Sequence, residues 1–314
     1  MNDRRTPRAH RRAVGQLLLG LVPLLTVAVV LLVVLTLRLP VAQAPLAEAS
    51  ATALATVTDS GQAPDGRGLA VTFPDAQGGE RTGLLVLRRV TDVPAGSTLT
   101  VQYDPDAPGG PDREPVYADG DAAHGTVGDI VFGMLVVTLV AVAAAALTAA
   151  RVASRRGLRR RAATGVTATH VVVRRGLLVR SWLELATAAG PRWLPVHWSR
   201  ELAALPPDSR IEVLGDPARQ RLVLPVVAGA EVWPSGRLQD RQPRGTLTEA
   251  EPDADAPAGL VRQARGDAVL LLLAPVLGLL WAYVDGSGPA GFAVATALSA
   301  AVLFWLPQHL GSAP

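Results

Sequence analysis

Histidine side chains can bind metals and carry out acid–base chemistry, so they are the first candidates for a functional site. The chain has five: His10, His124, His170, His197 and His309. Metal sites and catalytic dyads need partners at defined spacings, as in His-Glu-x-x-His, and no such spacing occurs here. We expect these histidines to fall in different compartments. The sequence therefore predicts isolated, hydrogen-bonded or solvated histidines and no metal ligands.

A Pro/Gly-rich acidic loop is the second candidate site. Its carboxylates are Asp104, Asp106, Asp112, Glu114, Asp119 and Asp121. Carboxylate and carbonyl oxygens bind Ca²⁺, but the spacing matches no calcium loop, which favours a solvated turn. Phosphate-binding and nucleophile-elbow motifs are also missing from the sequence. We therefore predict no catalytic, cofactor-binding or metal-binding residues, and a buried pocket with paired carboxylates or a His–Asp contact would overturn this.

The amino-acid composition excludes further kinds of site. The chain has no cysteine, which excludes disulfides, thiolate metal sites and a cysteine nucleophile. Every basic residue is arginine, and together with the abundance of Ala, Val, Gly and Pro this is typical of a high-GC bacterial coding sequence.

The organising stretch of the sequence is an apolar segment followed by arginines. Residues 130–150 carry no charge, and 21 helical residues span about 30 Å, the thickness of a bilayer core. The arginines that follow are Arg151, Arg155, Arg156, Arg159, Arg160 and Arg161. Such a cluster keeps its end of a helix in the cytoplasm and attracts anionic lipid headgroups. No aromatic residue interleaves with it, so we predict no nucleic-acid partner.

Three further apolar stretches complete a predicted set of four transmembrane helices. A basic tail, 1–12, precedes helix 13–37, and a hairpin of helices 268–284 and 289–307 ends the chain. We interpret 13–37 as a retained signal anchor, with a cleaved signal peptide as the alternative. A re-entrant pair is the alternative for the short hairpin. The predicted location is a bacterial plasma membrane, with both termini cytoplasmic.

The spans lack ionisable residues in their interiors, which argues against a pump or transporter. Gly291, Ala295 and Ser299 form a small-residue face, and Ala141 with 143–146 gives the second span a similarly slim surface. Such faces allow close helix contact, either among these helices or with a second copy of the chain.

Two small, mainly β modules lie between the spans, so the predicted fold class is an α+β membrane protein. The first, 38–129, is expected outside the cell, and the second, 151–238, inside it. Alternating residues predict strands in both, most clearly Thr98–Tyr103. Residues 38–129 hold six arginines and thirteen acids, whereas 151–267 hold nineteen arginines and twelve acids, in agreement with this sidedness. Residues 239–266 read as a largely disordered linker with a short amphipathic turn near Leu260.

An internal repeat links the two modules. The segments 94–105 and 206–217 align without gaps. The identical pairs are Pro94/Pro206, Ser97/Ser209, Val101/Val213, Asp104/Asp216 and Pro105/Pro217. A proline-led turn starts a strand with alternating apolar residues, and Asp-Pro ends it. The second module is thus a possible second copy of the first, and chance similarity between two β modules is the alternative.

The first copy resembles the family called domain of unknown function 3592. The resemblance rests on Pro94, Gly96, Ser97, Leu99, Val101, Tyr103, Asp104 and Pro105, and covers about 53–121. It implies a small β module placed between membrane helices, and it implies no biochemical activity. The second copy departs from the pattern, with Asp208 in place of the turn glycine and Gly215 in place of the tyrosine.

Tryptophan is frequent in the second module, at Trp182, Trp193, Trp198 and Trp233. We expect these side chains in the core, with one exposed for a partner as the alternative. The preferred function is that of a non-enzymatic envelope scaffold or accessory protein, acting through a protein partner or homo-oligomer. The alternative is a sensor that transmits an outer binding event to the inner module, and an enzyme is least favoured.

Overall fold

The structure is a computed structural model that describes residues 8–107, 113–253, 255 and 259–314. The predicted tail before Arg8 and the candidate ligand Asp112 lie outside these residues. The chain divides into two compact units, one of Val30–Thr138 and one that joins the residues up to Val29 with Leu139–Pro314. The fold is mixed α/β, with two sheets and four apolar helical stretches, and this part of the predicted fold class is confirmed.

Four helical stretches among the described residues are long and apolar enough to cross a membrane. The first two are α1 (Arg8–Glu48) and α2 (Ala122–Arg156). The third combines α4 (Leu260–Asp267), a 3₁₀ turn (Ala268–Leu273) and α5 (Ala274–Asp285), and the fourth is α6 (Gly288–Leu310).

The helices extend beyond the predicted apolar spans. Helix α1 continues past Leu37 to Glu48 and includes Pro40 and Pro45. Most of the other residues in this extension are Ala, Leu, Gln and Glu, which are good helix formers. Helix α2 starts at Ala122, where Asp121 caps it: its Oδ1 accepts a hydrogen bond from the His124 backbone N–H at 2.7 Å. An apolar pattern therefore marks the span, and the helix itself reaches further.

Three of the apolar helices share a buried cluster in which small and large residues pack together. Leu24 of α1, Ala144 of α2, and Ala301 and Trp305 of α6 form one buried cluster. Helices α5 and α6 also approach closely at Gly278, where a Cβ would come 2.9 Å from the Thr296 backbone nitrogen. The small side chains thus let the backbones come together, as predicted for the alanine-rich surface of the second span.

The first module is a five-stranded sheet. Its strands are β1 (Ala51–Ser60), β2 (Gly68–Pro74), β3 (Glu80–Val86), β4 (Thr98–Tyr103) and β5 (Glu114–Val116). The order is β4-β1-β2-β3-β5, with all neighbours antiparallel except the parallel pair β3 and β5. Alternate residues such as Val57, Val71, Leu85 and Val101 face one core.

The second module is a seven-stranded sheet. Its elements are β6 (Ala163–Arg175), β7 (Leu178–Thr187), β8 (Gly190–Val196), α3 (Arg200–Ala203), β9 (Ser209–Leu214), β10 (Leu224–Val227), β11 (Ala230–Glu231) and β12 (Thr246–Glu249). The order is β11-β10-β9-β6-β7-β8, and β12 also pairs with β6.

The two modules share a four-strand arrangement. In each, three strands follow one another as a meander and a fourth returns beside the first: β4-β1-β2-β3 and β9-β6-β7-β8. This is the Greek-key order. The returning strands β4 and β9 are the repeated segment, and the register agrees, since Leu99 pairs with Ala55 as Ile211 pairs with Val166.

The turns on either side of the repeated strand also agree in detail. Gly96 and Asp208 both have left-handed backbones, with φ of 88° and 53°. Asp104 and Asp216 both accept a hydrogen bond on Oδ1 from the backbone N–H two residues later, at 2.9 and 2.8 Å. Aspartate tolerates the left-handed region better than most residues, which explains how Asp208 replaces the glycine.

The predicted disordered linker 239–266 differs from the structure in its described residues. Strand β12 pairs with β6 from Thr246 to Glu249, whereas α4, which begins at Leu260, agrees with the amphipathic turn predicted there. Leu247 packs against a small buried cluster that includes Val173 and Trp182. The cause is tertiary pairing: β9 covers only residues 163–168 of β6, and the Thr-Leu-Thr-Glu segment of β12 pairs with the backbone groups of 171–174.

We predict that the left-handed backbone of residue 208 affects the free energy of unfolding more than the side-chain contact of Asp208 does. Replacing Asp208 by Val should lower the free energy of unfolding by about 1–2 kcal/mol, because a β-branched residue is strained at positive φ. Asp208→Gly should cost much less, although both changes remove the exposed contact with Thr169. Denaturation followed by tryptophan fluorescence reports this module, which holds four of the six tryptophans. Equal losses in the two variants would contradict the prediction.

Candidate functional site: a buried polar cluster

A group of buried polar side chains lies within the unit that contains the second module. We call it the polar cluster, and its members come from the start of α1, the end of β8, α4, the end of α6 and the residues after α6. They are Gln16, His197, Gln263, Asp267, Gln308 and Ser312. Each is at most 9% exposed. Buried polar groups are costly unless they are hydrogen-bonded, so their partners decide what the cluster does.

Ser312 is the centre of the cluster. Its backbone carbonyl accepts hydrogen bonds from the side-chain amides of Gln16, at 3.1 Å, and Gln263. Its hydroxyl donates to Asp267 Oδ2 at 2.7 Å, and the same oxygen accepts from Gln308 Nε2 at 2.6 Å. One residue after the last helix thus joins α1, α4 and, through Asp267, α6.

Gly311 turns the chain toward this position. It has φ of 75°, and it ends α6 in the left-handed conformation that glycine adopts at helix C-termini. A Cβ at Gly311 would come 2.6 Å from the Ser235 Cβ, so only glycine fits. The next residues join the second module: Ala313 N–H donates to the Val179 carbonyl at 2.8 Å.

His197 links the cluster to the end of β8. Its Nδ1 lies 3.1 Å from Gln16 Oε1. Gln16 Nε2 must face the Ser312 carbonyl, which only accepts, so Oε1 faces the histidine and Nδ1 carries the proton. Burial, together with the charges of Arg151, Arg155 and Arg180, holds the pKa of His197 well below its usual value. His197 is therefore neutral at pH 7.

Arg12 attaches the start of α1 to the same region. Its Nε donates to the Trp198 carbonyl and its Nη2 to Gln263 Oε1, both at 3.0 Å. The guanidinium also lies 4.5 Å from the centre of the Trp198 ring. One arginine of the predicted basic tail is thus a structural contact between helix and module.

The arginine cluster predicted at the end of the second span divides into inward and outward residues. Arg155 is buried and donates from Nε to the Pro234 carbonyl at 3.0 Å. Arg159 forms an ion pair with Glu231 at 2.7 Å, and Arg161 contacts Gln220. Arg156 and Arg160 are exposed. Part of the cluster therefore fastens α2 to the second module, which its sequence alone did not indicate.

The histidines occupy separate packing environments, apart from His197 and His309, which lie near the same arginines. His10 packs on Trp233 with ring centres 4.2 Å apart, and buried His170 lies 3.2 Å from the Ser181 hydroxyl. Among the described residues, no three His, Asp or Glu side chains could hold a metal ion.

A His–Asp contact does occur, between His124 Nδ1 and Asp121 Oδ1 at 3.1 Å. Asp121 also accepts from the backbone N–H groups of Ala118 and His124, so it acts as the cap of α2. His124 is partly exposed, and neither residue lines the groove of about 350 Å³ near Gly120. The contact is explained by helix capping, and it gives no support for catalysis.

The four tryptophans of the second module are all buried, at 1–7% exposure. Trp193 and Trp198 both lie inside although they are five residues apart, because Trp198 follows the end of β8 and no longer obeys strand alternation. The expected core packing is confirmed, and an exposed tryptophan groove is not present at these positions.

Sequence reasoning missed the polar cluster as a site. The only local signal was a set of single polar residues, such as Gln16 and Gln308, at the edges of apolar stretches. Comparison of the chain with family models, with curated proteins and with solved structures found no match.

We predict that acid destabilises the second module through His170. Burial lowers the pKa of His170 to about 4, whereas the unfolded chain has a pKa near 6.5. Between these values the unfolded state binds the additional proton, so stability falls as the pH drops from about 6.5 to 4, by about 3 kcal/mol. His170→Gln should reduce this dependence in pH-resolved denaturation, and buried His197, whose pKa is also lowered, should retain part of it. An unchanged slope would show that other groups carry the acid sensitivity.

Proposed function

We propose that the protein is a non-enzymatic, multi-pass protein of a bacterial plasma membrane that couples its helices to the second module. The first module would lie outside, and the second module and both termini inside. A displacement of the helix ends, caused by an event at the first module, would then be passed to the second module. An enzyme is the least favoured function.

The membrane placement is supported by the surface of the helices. Large apolar side chains such as Val29, Leu139, Leu279 and Val284 are more than half exposed. Exposed apolar surface of this extent is unfavourable in water and favourable in lipid. The arginines at the end of α2 support the orientation.

The polar cluster is the observation that carries the coupling role. Hydrogen bonds are directional, and a buried amide or hydroxyl that loses its partner costs about 1–3 kcal/mol. Gln16, Gln263 and Gln308 belong to three helical stretches and meet at Ser312 or Asp267. A shift of one helix end would therefore disturb the others and His197 at the end of β8.

A scaffold or accessory role is the second candidate, and a groove on the second module favours it. The groove has a volume of about 780 Å³ and lies between α3 and the β10–β11 turn. Leu205 and Ile211 give it an apolar floor, and Arg200 and Glu201 add charges. A partner protein that bound there without any change in the helices would support this role over coupling.

Two single cysteines test the predicted sidedness, and the chain has none of its own. Ala95→Cys places a thiol on an exposed turn of the first module, and Leu177→Cys places one on an exposed turn of the second. A membrane-impermeant maleimide added to intact cells should label residue 95 alone, and after lysis it should label both. Labelling of residue 177 in intact cells would contradict the proposed topology.

The coupling role can be tested by reconstitution into bilayers of different thickness, which changes helix tilt. In the native chain, hydrogen exchange at 230–236 should change with thickness. Gln16→Leu removes the bonds of Gln16 to Ser312 and His197, so exchange there should become about tenfold faster and independent of thickness. Gln239→Leu, at an exposed position, is the matched control and should behave like the native chain. A thickness dependence that survives in Gln16→Leu would rule out the cluster as the coupling element.

A further inference from the structure

Three arginines beside the polar cluster carry positive charge without a nearby carboxylate. They are Arg151 and Arg155 of α2 and Arg180 of β7. No carboxylate in the described part of the chain lies within 4 Å of their guanidinium nitrogens. Buried cations are normally paired, because the loss of hydration must be offset. The three arginines therefore lack the negatively charged partner that buried cations usually have.

The hydrogen bonds that these arginines do make go to neutral acceptors. Arg151 donates to the His309 carbonyl, Arg155 to the Pro234 carbonyl at 3.0 Å, and Arg180 to the Ser235 hydroxyl at 3.2 Å. A guanidinium has five N–H groups, so each arginine keeps donors beyond these bonds. The protein thus fixes the three side chains in place without a carboxylate partner, and the Arg180 guanidinium lies 5.3 Å from the centre of the Trp182 ring as a cation–π contact.

Unpartnered buried nitrogens mark the same place. In the described residues, Arg180 Nε and His197 Nε2 are buried and have no hydrogen-bond partner. His197 is 2% exposed and neutral, and its proton lies on Nδ1 toward Gln16, so Nε2 is an acceptor. Of these two nitrogens only Arg180 Nε can donate to an anion. The three arginines converge on this place: Arg155 and Arg180 donate to the adjacent residues Pro234 and Ser235, and Arg151 donates to His309. Gly311, two residues after His309, lies directly against Ser235 and His197.

Two of the three arginines are accessible to a ligand from solvent. Arg151 and Arg180 are each partly exposed, whereas Arg155 is buried. Arg151 stands directly after the uncharged stretch 130–150, and the His309 carbonyl that it contacts belongs to the last turn of α6. The charges therefore lie where the apolar surface ends, which in the proposed membrane placement is the level of the lipid phosphates.

We propose that Arg151, Arg155 and Arg180 form a binding site for a phosphate-type oxyanion, supplied by an anionic phospholipid headgroup or by a free phosphate. Arginine suits such a ligand because its planar N–H groups match the oxygens of a phosphate in pairs. A bound anion would neutralise the group and give Arg180 Nε an acceptor. This site goes beyond the coupling role and does not depend on it, and only the lipid source rests on the membrane placement.

The experiment uses the full chain purified in a neutral detergent, with the thermal unfolding midpoint and native mass spectrometry as readouts. Sodium phosphate is compared with sodium chloride at equal ionic strength, and phosphatidylglycerol with phosphatidylcholine in mixed micelles. We expect at least one of the two anions to raise the unfolding midpoint: phosphate above the value in chloride, or phosphatidylglycerol above the value in phosphatidylcholine. A response to phosphatidylglycerol alone assigns the site to a headgroup, and a response to phosphate assigns it to the free oxyanion.

Variants tie the response to these residues. Arg180→Gln and Arg151→Gln should each weaken anion binding about tenfold or more, the effect of losing a charged hydrogen-bond donor. Without an anion, Arg180→Gln should unfold at or above the native midpoint, because it relieves repulsion. Arg175→Gln, at the exposed last residue of β6, should bind as the native chain does. The proposal is overturned if neither anion raises the native midpoint, or if both cluster variants respond as the control does.

Discussion

The hydrogen bonds that meet at Ser312 are the constraint on which the second module and its helices depend. The carbonyl and hydroxyl of one residue bond to Gln16, Gln263 and Asp267, all of them buried. Apolar packing tolerates small shifts, whereas these bonds do not, since each broken one leaves a polar group in a dry interior. The arrangement of helix ends around the sheet is thus set by a few polar atoms, and the apolar contacts fill the space around them.

Much of the fold could be read from the sequence because its signals are local. Uncharged stretches marked the four apolar helices, and the alternation of Leu99, Val101 and Tyr103 marked a strand. The twelve-residue repeat indicated that Thr98–Tyr103 and Ser209–Leu214 correspond, and both return beside the first strand of their sheets. What could not be read was decided by tertiary contact: β12 exists because β6 extends far enough to pair with it.

The site was less predictable than the fold, for a physical reason. Sequence motifs reveal sites whose residues are close together in the chain, such as capping boxes or metal-ligand pairs. The polar cluster joins single residues from distant segments, and each of them alone resembles an ordinary polar residue beside an apolar stretch. The arginines of α2 were noticed, but as a topological signal, because neither Pro234 nor Ser235 is recognisable from sequence as their partner.

The separation between Gln16 and Ser312 also orders the events of biosynthesis. They are 296 positions apart, so the contact forms only after α6 has left the ribosome. By then the strands of the second module, which end at Glu249, have already emerged. Until translation reaches residue 312, Gln16, Gln263 and Asp267 lack the partner that joins them. Their polar side chains remain exposed to water in the nascent chain. The contact that joins these polar groups is therefore a late event of synthesis, and until it forms the chain is more open to chaperones and proteases.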